Sequence, residues 1–352
     1  MKVSTLTRPF VSVIMPVRNE GSFIKKSLGA LLCQTYPKDR FEIIIADGMS
    51  SDNTRKLIGS MSAQSDISIK IVENPKRIAP TGLNLGLKEA KGEIIVRVDG
   101  HTVVDKTYIA ECVGALLRTG SANAGGKMNA ISFGAIGNSI SRATSSRFGI
   151  GNARFHFSDL EEYADTVYLG AWPRRIFDQY GWFNEELVRN QDDEFNYRLR
   201  ANGEKLLLSP LIRSKYYSRS TFWSLWRQYF QYGYWKVRVL QMHPKQMSVR
   251  QFVPFFFVLS VLLLGALSII YPPSRLVLGA VIFSYLAANL IASIWAAGRD
   301  ILLIPYIALS YCILHVSYGL GSIAGMVAFR NRWKDLHGAS FSAKPDGVPS
   351  KS

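Results

Sequence analysis

Hydrophobic and polar positions divide the chain into two unlike halves. In the first, short β-rich runs alternate with amphipathic stretches. The runs are FVSVIM (10–15), FEIIIA (41–46), ISIKIV (67–72) and EIIVRV (93–98), each bounded by turn or polar residues. Helix-like segments lie between them, at about 20–33, 52–62 and 81–91. Asn53-Thr54 and Thr81 stand near helix starts, and Gly92 follows the third segment as a C-cap would. Strand alternating with helix predicts an α/β domain with a mostly parallel sheet and helices on both faces. On such sheets ligands bind beyond the carboxyl ends of the strands.

The second half reads differently. Three apolar runs cover 253–271, 276–297 and 301–329, broken by Pro272-Pro273 and Gly298-Arg299-Asp300. From Gln251 to Phe329 the charged residues are Arg275, Arg299 and Asp300. A helix needs about 20 predominantly apolar residues to cross a bilayer, and soluble helices keep a charged face, so these runs predict about three transmembrane helices over 251–330. A parity problem follows. With a cytosolic N-terminal domain, three crossings put the C-terminus outside, yet Arg330, Arg332 and Lys334 follow the last run, and such clusters stay cytosolic. Either one run is re-entrant or interfacial, or the charge rule fails here.

Composition sharpens this division. The 352 residues suggest roughly two domains, and the net charge of +16 is unevenly spread. Between Lys205 and Arg250 there are basic residues but no Asp or Glu, interleaved with Phe222, Trp223, Trp226, Tyr229, Phe230, Tyr232, Tyr234 and Trp235. Beside apolar runs, a basic aromatic segment predicts helices at the headgroup layer rather than a nucleic-acid surface. The expected division is a cytosolic catalytic domain over 1–215, interfacial helices over 216–250, the spans over 251–330 and a polar tail over 331–352. Cys33, Cys112 and Cys312 lie far apart in apolar contexts, which argues against a disulfide framework or zinc site. The N-terminus lacks the apolar core of a cleaved signal peptide.

Candidate chemistry gathers where the strands end. Pro16-Val17-Arg18-Asn19-Glu20 follows the first, Asp47-Gly48-Met49-Ser50-Ser51-Asp52-Asn53-Thr54 the second and Asp99-Gly100-His101 the fourth. Asp-Gly and Ser-Asp-Asn also form ordinary turns, but three polar clusters on one sheet edge are more than punctuation. Neither GxGxxG nor GxxxxGK[ST] is present, so dinucleotide and P-loop fingerprints are not supported.

The ordered set VSVIMPVRNE (11–20), ADGMSSDNT (46–54), APTGLNLGLKEAKGEIIVRVDGH (79–101) and NQDDEFNYRLRANG (190–203) resembles the family 2 glycosyltransferases, over about residues 10–240. The subgroup it is most similar to makes succinoglycan-type exopolysaccharides. The resemblance implies a GT-A fold, a Rossmann-like nucleotide-sugar-binding domain, followed here by C-terminal transmembrane helices. It also implies a divalent cation at Asp99 and His101. The family more often has Asp at the third position. Imidazole there favours Mn2+, with Mg2+ the alternative; His101 as a cap of the helix from Asp105 is the bland reading.

Asp47 matches the position that reads the uracil ring, where a carboxylate accepts the ring N3–H. Pro16, Arg18 and Glu20 match the loop around the nucleoside, and Arg77 and Asn84 line the nucleotide site. Arg77 can equally be a solvated surface residue, and Asp52 is read as a helix N-cap. Asp192 takes the place of the catalytic base. Gln191 replaces the family's usual Glu, Asp193 is the rival base, and an acidic first helical turn is the plain alternative. Trp172 either stacks on the acceptor sugar or belongs to the core.

The implied enzyme is an inverting glycosyltransferase of the inner or plasma membrane, multi-pass, with its catalytic domain in the cytoplasm. It would move a sugar, glucose first, from a UDP-sugar to a polyprenyl-linked saccharide for exopolysaccharide or surface glycan. Its expected partners are that donor, that acceptor and membrane lipid, with other polysaccharide-assembly enzymes as candidates and no nucleic acid. The alternatives are transfer straight to polyprenyl phosphate, and a dead membrane-anchored scaffold suggested by Gln191 and His101. The segment 227–235 is not the QxxRW of processive synthases, so one sugar per encounter is expected.

Overall fold

The computed structural model describes residues 8–337 except Asn152. They fall into two compact units, residues 8–129 with 158–216, and residues 130–157 with 217–337. A single cut after residue 215 therefore misses one feature: the stretch 130–157 belongs with the helical unit. Most of the expected polar tail, from residue 338, lies outside the described residues.

The first unit is built on β1 (Val11–Val17), α1 (Ile24–Leu32), β2 (Phe41–Asp47), α2 (Thr54–Ser62), β3 (Ser68–Glu73), α3 (Ala79–Glu89) and β4 (Ile94–Arg97). β5 (Thr102–Val104), α4 (Tyr108–Thr119) and β6 (Asn123–Ile131) follow. Next come α5 (Gly134–Thr144) and α6 (Arg147–Ile150), which belong to the second unit. The chain returns with β7 (Glu162–Tyr163), β8 (Tyr168–Pro173), α7 (Arg174–Tyr180), α8 (Gln191–Ala201) and β9 (Leu206–Tyr217).

These strands form one sheet in the order β3-β2-β1-β4-β8-β6-β9-β5, with β7 beside β9. β3, β2, β1 and β4 are parallel; β8 runs antiparallel to β4, and the β6–β8, β5–β9 and β7–β9 pairs are antiparallel too. The parallel half is where the sequence pattern is clearest. β2 is buried throughout and β1 nearly so, as expected of strands covered on both faces. α1 buries Ile24, Ser27, Leu28 and Leu31, one helical stripe. α3 crosses β1 so closely that a Cβ at Gly86 would lie 2.4 Å from Ile14 Cγ2. Gly92 is not the C-cap expected of it. Ala90 holds that place, and Gly92 lets β4 begin against β1, where a Cβ would sit 2.3 Å from the Ser12 nitrogen.

Register then sets the site. Val17 pairs with Asp47, so β1 and β2 end level, and Ile14 pairs with Arg97, near the end of β4. The chain order along the sheet reverses between β1 and β4. At such a switch point the loops part and leave a crevice for ligands.

The second unit is helical. Besides α5 and α6 it contains α9 (Phe222–Met242), α10 (Val253–Ile270), α11 (Ser274–Ala297) and α12 (Ile304–Ala328). The last three coincide with the apolar runs and are long and apolar enough to cross a membrane. α9 and α12 run in the same direction at backbone contact. A Cβ on Gly321 would lie 2.1 Å from the Phe230 carbonyl oxygen, and one on Gly325 would lie 2.5 Å from that of Tyr234. Small residues permit such close helix pairs.

Candidate active site

The loops after β1 and β4 meet through a carboxylate and an imidazole. Glu20 Oε1 stands 2.9 Å from His101 Nδ1. Glu20 reaches it because residue 100 is glycine; a Cβ there would lie 2.9 Å from Glu20 Cγ and 3.0 Å from Val17 Cγ1. Ser27 ties this turn down from α1, donating to the Gly100 carbonyl at 2.6 Å. The edge of the His101 ring also packs on Tyr216, with centroids 5.4 Å apart. His101 does not cap the helix that follows: α4 begins at Tyr108 with Thr107 as N-cap.

Asp99 ends β4 and takes two bonds from Arg97, Nε to Oδ1 at 2.8 Å and Nη2 to Oδ2 at 3.1 Å. Burial would raise the Asp99 carboxyl, but the Arg97 guanidinium outweighs it and holds the group below the usual aspartate range. The third nitrogen of the fork, Arg97 Nη1, is buried, makes no hydrogen bond, and lies 3.7 Å from Asp192 Oδ2. One cation thus faces both the strand-end carboxylate and the expected base. Arg97 belongs to none of the polar strand-end clusters. Its only signal is a charged residue within an otherwise apolar buried strand, which is unusual unless the charge is paired.

Asp192 opens α8, whose N-cap Asn190 adopts a left-handed backbone, φ 63°. Partial burial first, and the neighbouring Asp193 second, push the Asp192 carboxyl above the ordinary aspartate value, and Arg97 opposes them. Asp193 accepts from Thr166 at 3.3 Å, in line with a buried chain in which Asn123 donates to Asn196 and Asn196 to Thr166. The two acids therefore face different partners. Glu194, fully buried, pairs with Arg198, which also donates to the carbonyls of Tyr180 and Trp182 at 2.7 and 3.0 Å. This clamp fixes the start of α8.

The other expected site residues divide into those at the open edge and those withdrawn from it. Pro16 is half-buried, and Arg18 and Arg77 are exposed. Asp47 is fully buried and accepts from the Ser50 nitrogen at 3.1 Å and from Arg55 Nε at 2.5 Å. Asp52 stands one place before the N-cap Asn53 and joins two loops, accepting from the nitrogens of Thr54 and Gly21, each at 3.0 Å. Asn84 does not line an open site. It is buried, donates to the Phe183 carbonyl at 2.9 Å and to Glu185 at 3.0 Å, and accepts from the Phe183 nitrogen at 3.1 Å. Trp172 is 1% exposed and packs edge-on among Phe177, Phe183 and Phe195. Of its two readings the structure places it in the core, with no face for a sugar.

Among the described residues, five non-glycine positions have positive φ: Asn19, Met49, Arg77, Leu169 and Asn190. Asn19, Met49 and Arg77 follow β1, β2 and β3, and Asn190 introduces Asp192. Such backbone costs about 1–3 kcal/mol per residue and concentrates at functional edges.

Can these groups hold a divalent cation? Among the described residues no cluster of three or more His, Cys, Asp or Glu is arranged for one. A smaller donor set does fit. The Asp99 carboxylate has lone pairs beyond the two that Arg97 occupies. His101 is backed at Nδ1 by a carboxylate, the usual second shell of a metal-bound histidine, which leaves Nε2 as the donor. Two protein ligands suffice where a diphosphate and water supply the rest.

Residues 12–147 match glycosyl transferase family 2. The chain carries a family 2 glycosyltransferase domain. It is a glycosyltransferase, and its first unit has the GT-A fold. Among curated relatives, the dolichyl N-acetyl-alpha-D-glucosaminyl phosphate 3-beta-D-2,3-diacetamido-2,3-dideoxy-beta-D-glucuronosyltransferase of Methanococcus voltae is 27% identical, over 91% of this chain and 99% of its own. The succinoglycan biosynthesis protein ExoA of Rhizobium meliloti is 25% identical, over 94% and 99%. Among solved structures, the mannosyltransferase PcManGT of Pyrobaculum calidifontis, in complex with GDP-Man and Mn2+, superposes with a TM-score of 0.58 at 17% identity, over 91% of this chain and 88% of that one. Residues 1–349 of S. aureus TarS in complex with UDP-GlcNAc superpose with a TM-score of 0.51 at 15% identity, over 91% and 92%.

Proposed function

We propose that the protein is an inverting, membrane-anchored glycosyltransferase that moves a sugar, glucose first, from a UDP-linked donor to a lipid-linked saccharide. The product would feed an exopolysaccharide or another surface glycan. The observation that carries this reading is the Asp99–Arg97–Asp192 arrangement, in which one guanidinium faces the strand-end carboxylate and the base. Asp192 takes the proton of the acceptor hydroxyl. That oxygen forms the new bond to the anomeric carbon, and the bond to the nucleoside diphosphate breaks with its electron pair on the leaving phosphate. One displacement inverts the carbon.

Asp99 and His101 Nε2 would hold a divalent cation, Mn2+ by preference. When bound, the ion supplies neutralisation of charge on the leaving diphosphate. Arg97 keeps Asp99 ionised and oriented, and Glu20 orients the His101 ring. Pro16, Arg18 and Arg77 stand around the edge proposed for the nucleotide, whereas Asp47 is buried and paired with Arg55, so reading a uracil ring would require it to exchange that partner. PcManGT, solved with Mn2+, supports the cation, and the two curated relatives, one named for a dolichyl-phosphate-linked sugar and one for succinoglycan, support the acceptor class. Because the archaeal relative is named as a glucuronosyltransferase, uronic acid donors belong beside UDP-glucose in any panel.

Mn2+ binding followed by electron paramagnetic resonance, with UDP present and no acceptor, tests the site directly. Nitrogen hyperfine coupling is expected in the native protein and absent in His101→Ala. Glu20→Leu should weaken Mn2+ about 10–100-fold. Native Mn2+ binding without nitrogen coupling would remove His101 from the ligand set.

A further inference from the structure

The parity problem has an answer in the second unit. We infer that α10 and α11 cross the bilayer as a hairpin, while α12 lies along the membrane surface, so that the C-terminus ends on the same side as the catalytic unit. This rests on the membrane placement proposed above, not on the chemistry.

The three apolar helices are not alike. Between Val258 and Asn289 the only buried residue is Ser274, the first of α11, so apart from Arg275 at the tip the far halves of α10 and α11 present mainly apolar side chains outward. Phe283, Leu276, Ile269 and Ile270 are among the exposed ones. This suits a hairpin standing in lipid. α12 is the opposite: from Ser310 to Met326 no residue is exposed.

What covers α12 decides its placement. α5 and α6 lie on its first half. Ser139 Oγ is 3.3 Å from Ser310 Oγ, Tyr311 donates to Ser146 at 2.7 Å, and His315 Nε2 donates to the Phe148 carbonyl at 2.9 Å. Arg142 binds the carbonyls of Ala296 and Ala297 that end α11, and pairs with Asp300. α9 lies on the second half, with Phe230 against Gly321, Tyr234 against Gly325, and Gln241 donating to the Phe329 carbonyl at 2.8 Å. Along the chain α5 follows β6 and α9 follows β9, and within the second unit Ser218 donates to the Ile131 carbonyl at 2.9 Å.

Were α12 to cross the bilayer, its covers would lie at membrane depth. Leu225 shares one buried cluster with Tyr311 and Leu314, and Phe230 touches Gly321, so Arg227 between them stands level with the middle of α12. Arg227 is exposed. An exposed arginine at that depth is strongly disfavoured. Along the surface the same arginine meets headgroups, and exposed Trp223 takes the place aromatic residues favour. Loop charge agrees: Lys245, Arg250 and Arg299 flank the base of the hairpin against Arg275 at its tip, and Arg330 and Arg332 remain on the base side.

Cysteine labelling of the full chain in intact cells, with a membrane-impermeant maleimide, tests this. Native Cys33, exposed on the catalytic unit, reports that unit's side. Pro272→Cys should label in intact cells, whereas Cys33 and Ser342→Cys should label only after disruption. Labelling of Ser342→Cys in intact cells with Cys33 protected would mean that α12 crosses, and would overturn the inference. Pro272→Cys protected until disruption would overturn the hairpin. Release of the protein from membranes by carbonate would overturn the membrane placement itself.

Discussion

Arg97 joins two carboxylates whose environments push them apart, and its loss should be read in acidity as well as rate. If Asp192 is the base, as proposed, it works only when deprotonated, and its raised pKa should set the acidic limb of the rate profile above the ~3.9 of an ordinary aspartate. Arg97 opposes that rise, so Arg97→Gln should move the limb of kcat/KM to still higher pH and also weaken Mn2+ through Asp99. An unmoved limb would mean that Arg97 serves Asp99 alone. Trp172→Ala should cost about 3–5 kcal/mol of stability, as large aromatic truncations do, with Trp172→Phe milder. In folded protein, acceptor KM should stay unchanged, which steady-state kinetics at reduced temperature would check. At this scale Asp99, His101 and Asp192 stand out in the sequence because their types and spacing follow a motif; their roles remain proposals. Asn84 is buried rather than lining an open site, and Trp172 takes the second of its two readings, because motif position does not report which way a side chain faces. Arg97 shows in sequence only as a charge within an apolar strand, because its second carboxylate, Asp192, lies far along the chain.

The elements of the parallel half were legible for a physical reason. β1, β2 and β4 are buried on both faces and read as continuous apolar runs, and the helices between them are amphipathic. The later strands gave no such signal. β6 carries Gly125 and Gly126, where a Cβ on Gly126 would lie 1.7 Å from the Ile212 carbonyl oxygen, so close backbone approach has replaced the apolar alternation that marks a strand. α8 is held by the buried Glu194–Arg198 pair. Glu194→Gln should destabilise the protein by about 3–5 kcal/mol, since it strands a buried guanidinium. Replacing both residues by leucine should cost less, and thermal unfolding of the single and double variants would show whether the ordering is reversed.

In the whole molecule, the unexpected feature is that residues 130–157, embedded in the sequence of the catalytic half, pack with the helical unit. A linear reading divides a chain by composition along it, and this stretch has neither the charge nor the apolar length to announce its neighbours. The α9–α12 contact is equally hidden, because glycines spaced for close packing resemble ordinary helix glycines until their partner is known. Gly321→Val should destabilise that pair by about 1–3 kcal/mol or more, lowering the unfolding midpoint of detergent-solubilised protein. The catalytic unit alone predicts neither outcome. Its own claim is chemical, and is met most directly by presenting membranes containing the protein with labelled UDP-sugars and Mn2+ and following label into the lipid extract. Transfer should fall about 10²–10⁴-fold in Asp192→Asn and persist in Asp193→Asn; equal transfer by native protein and Asp192→Asn would contradict the assignment of the base.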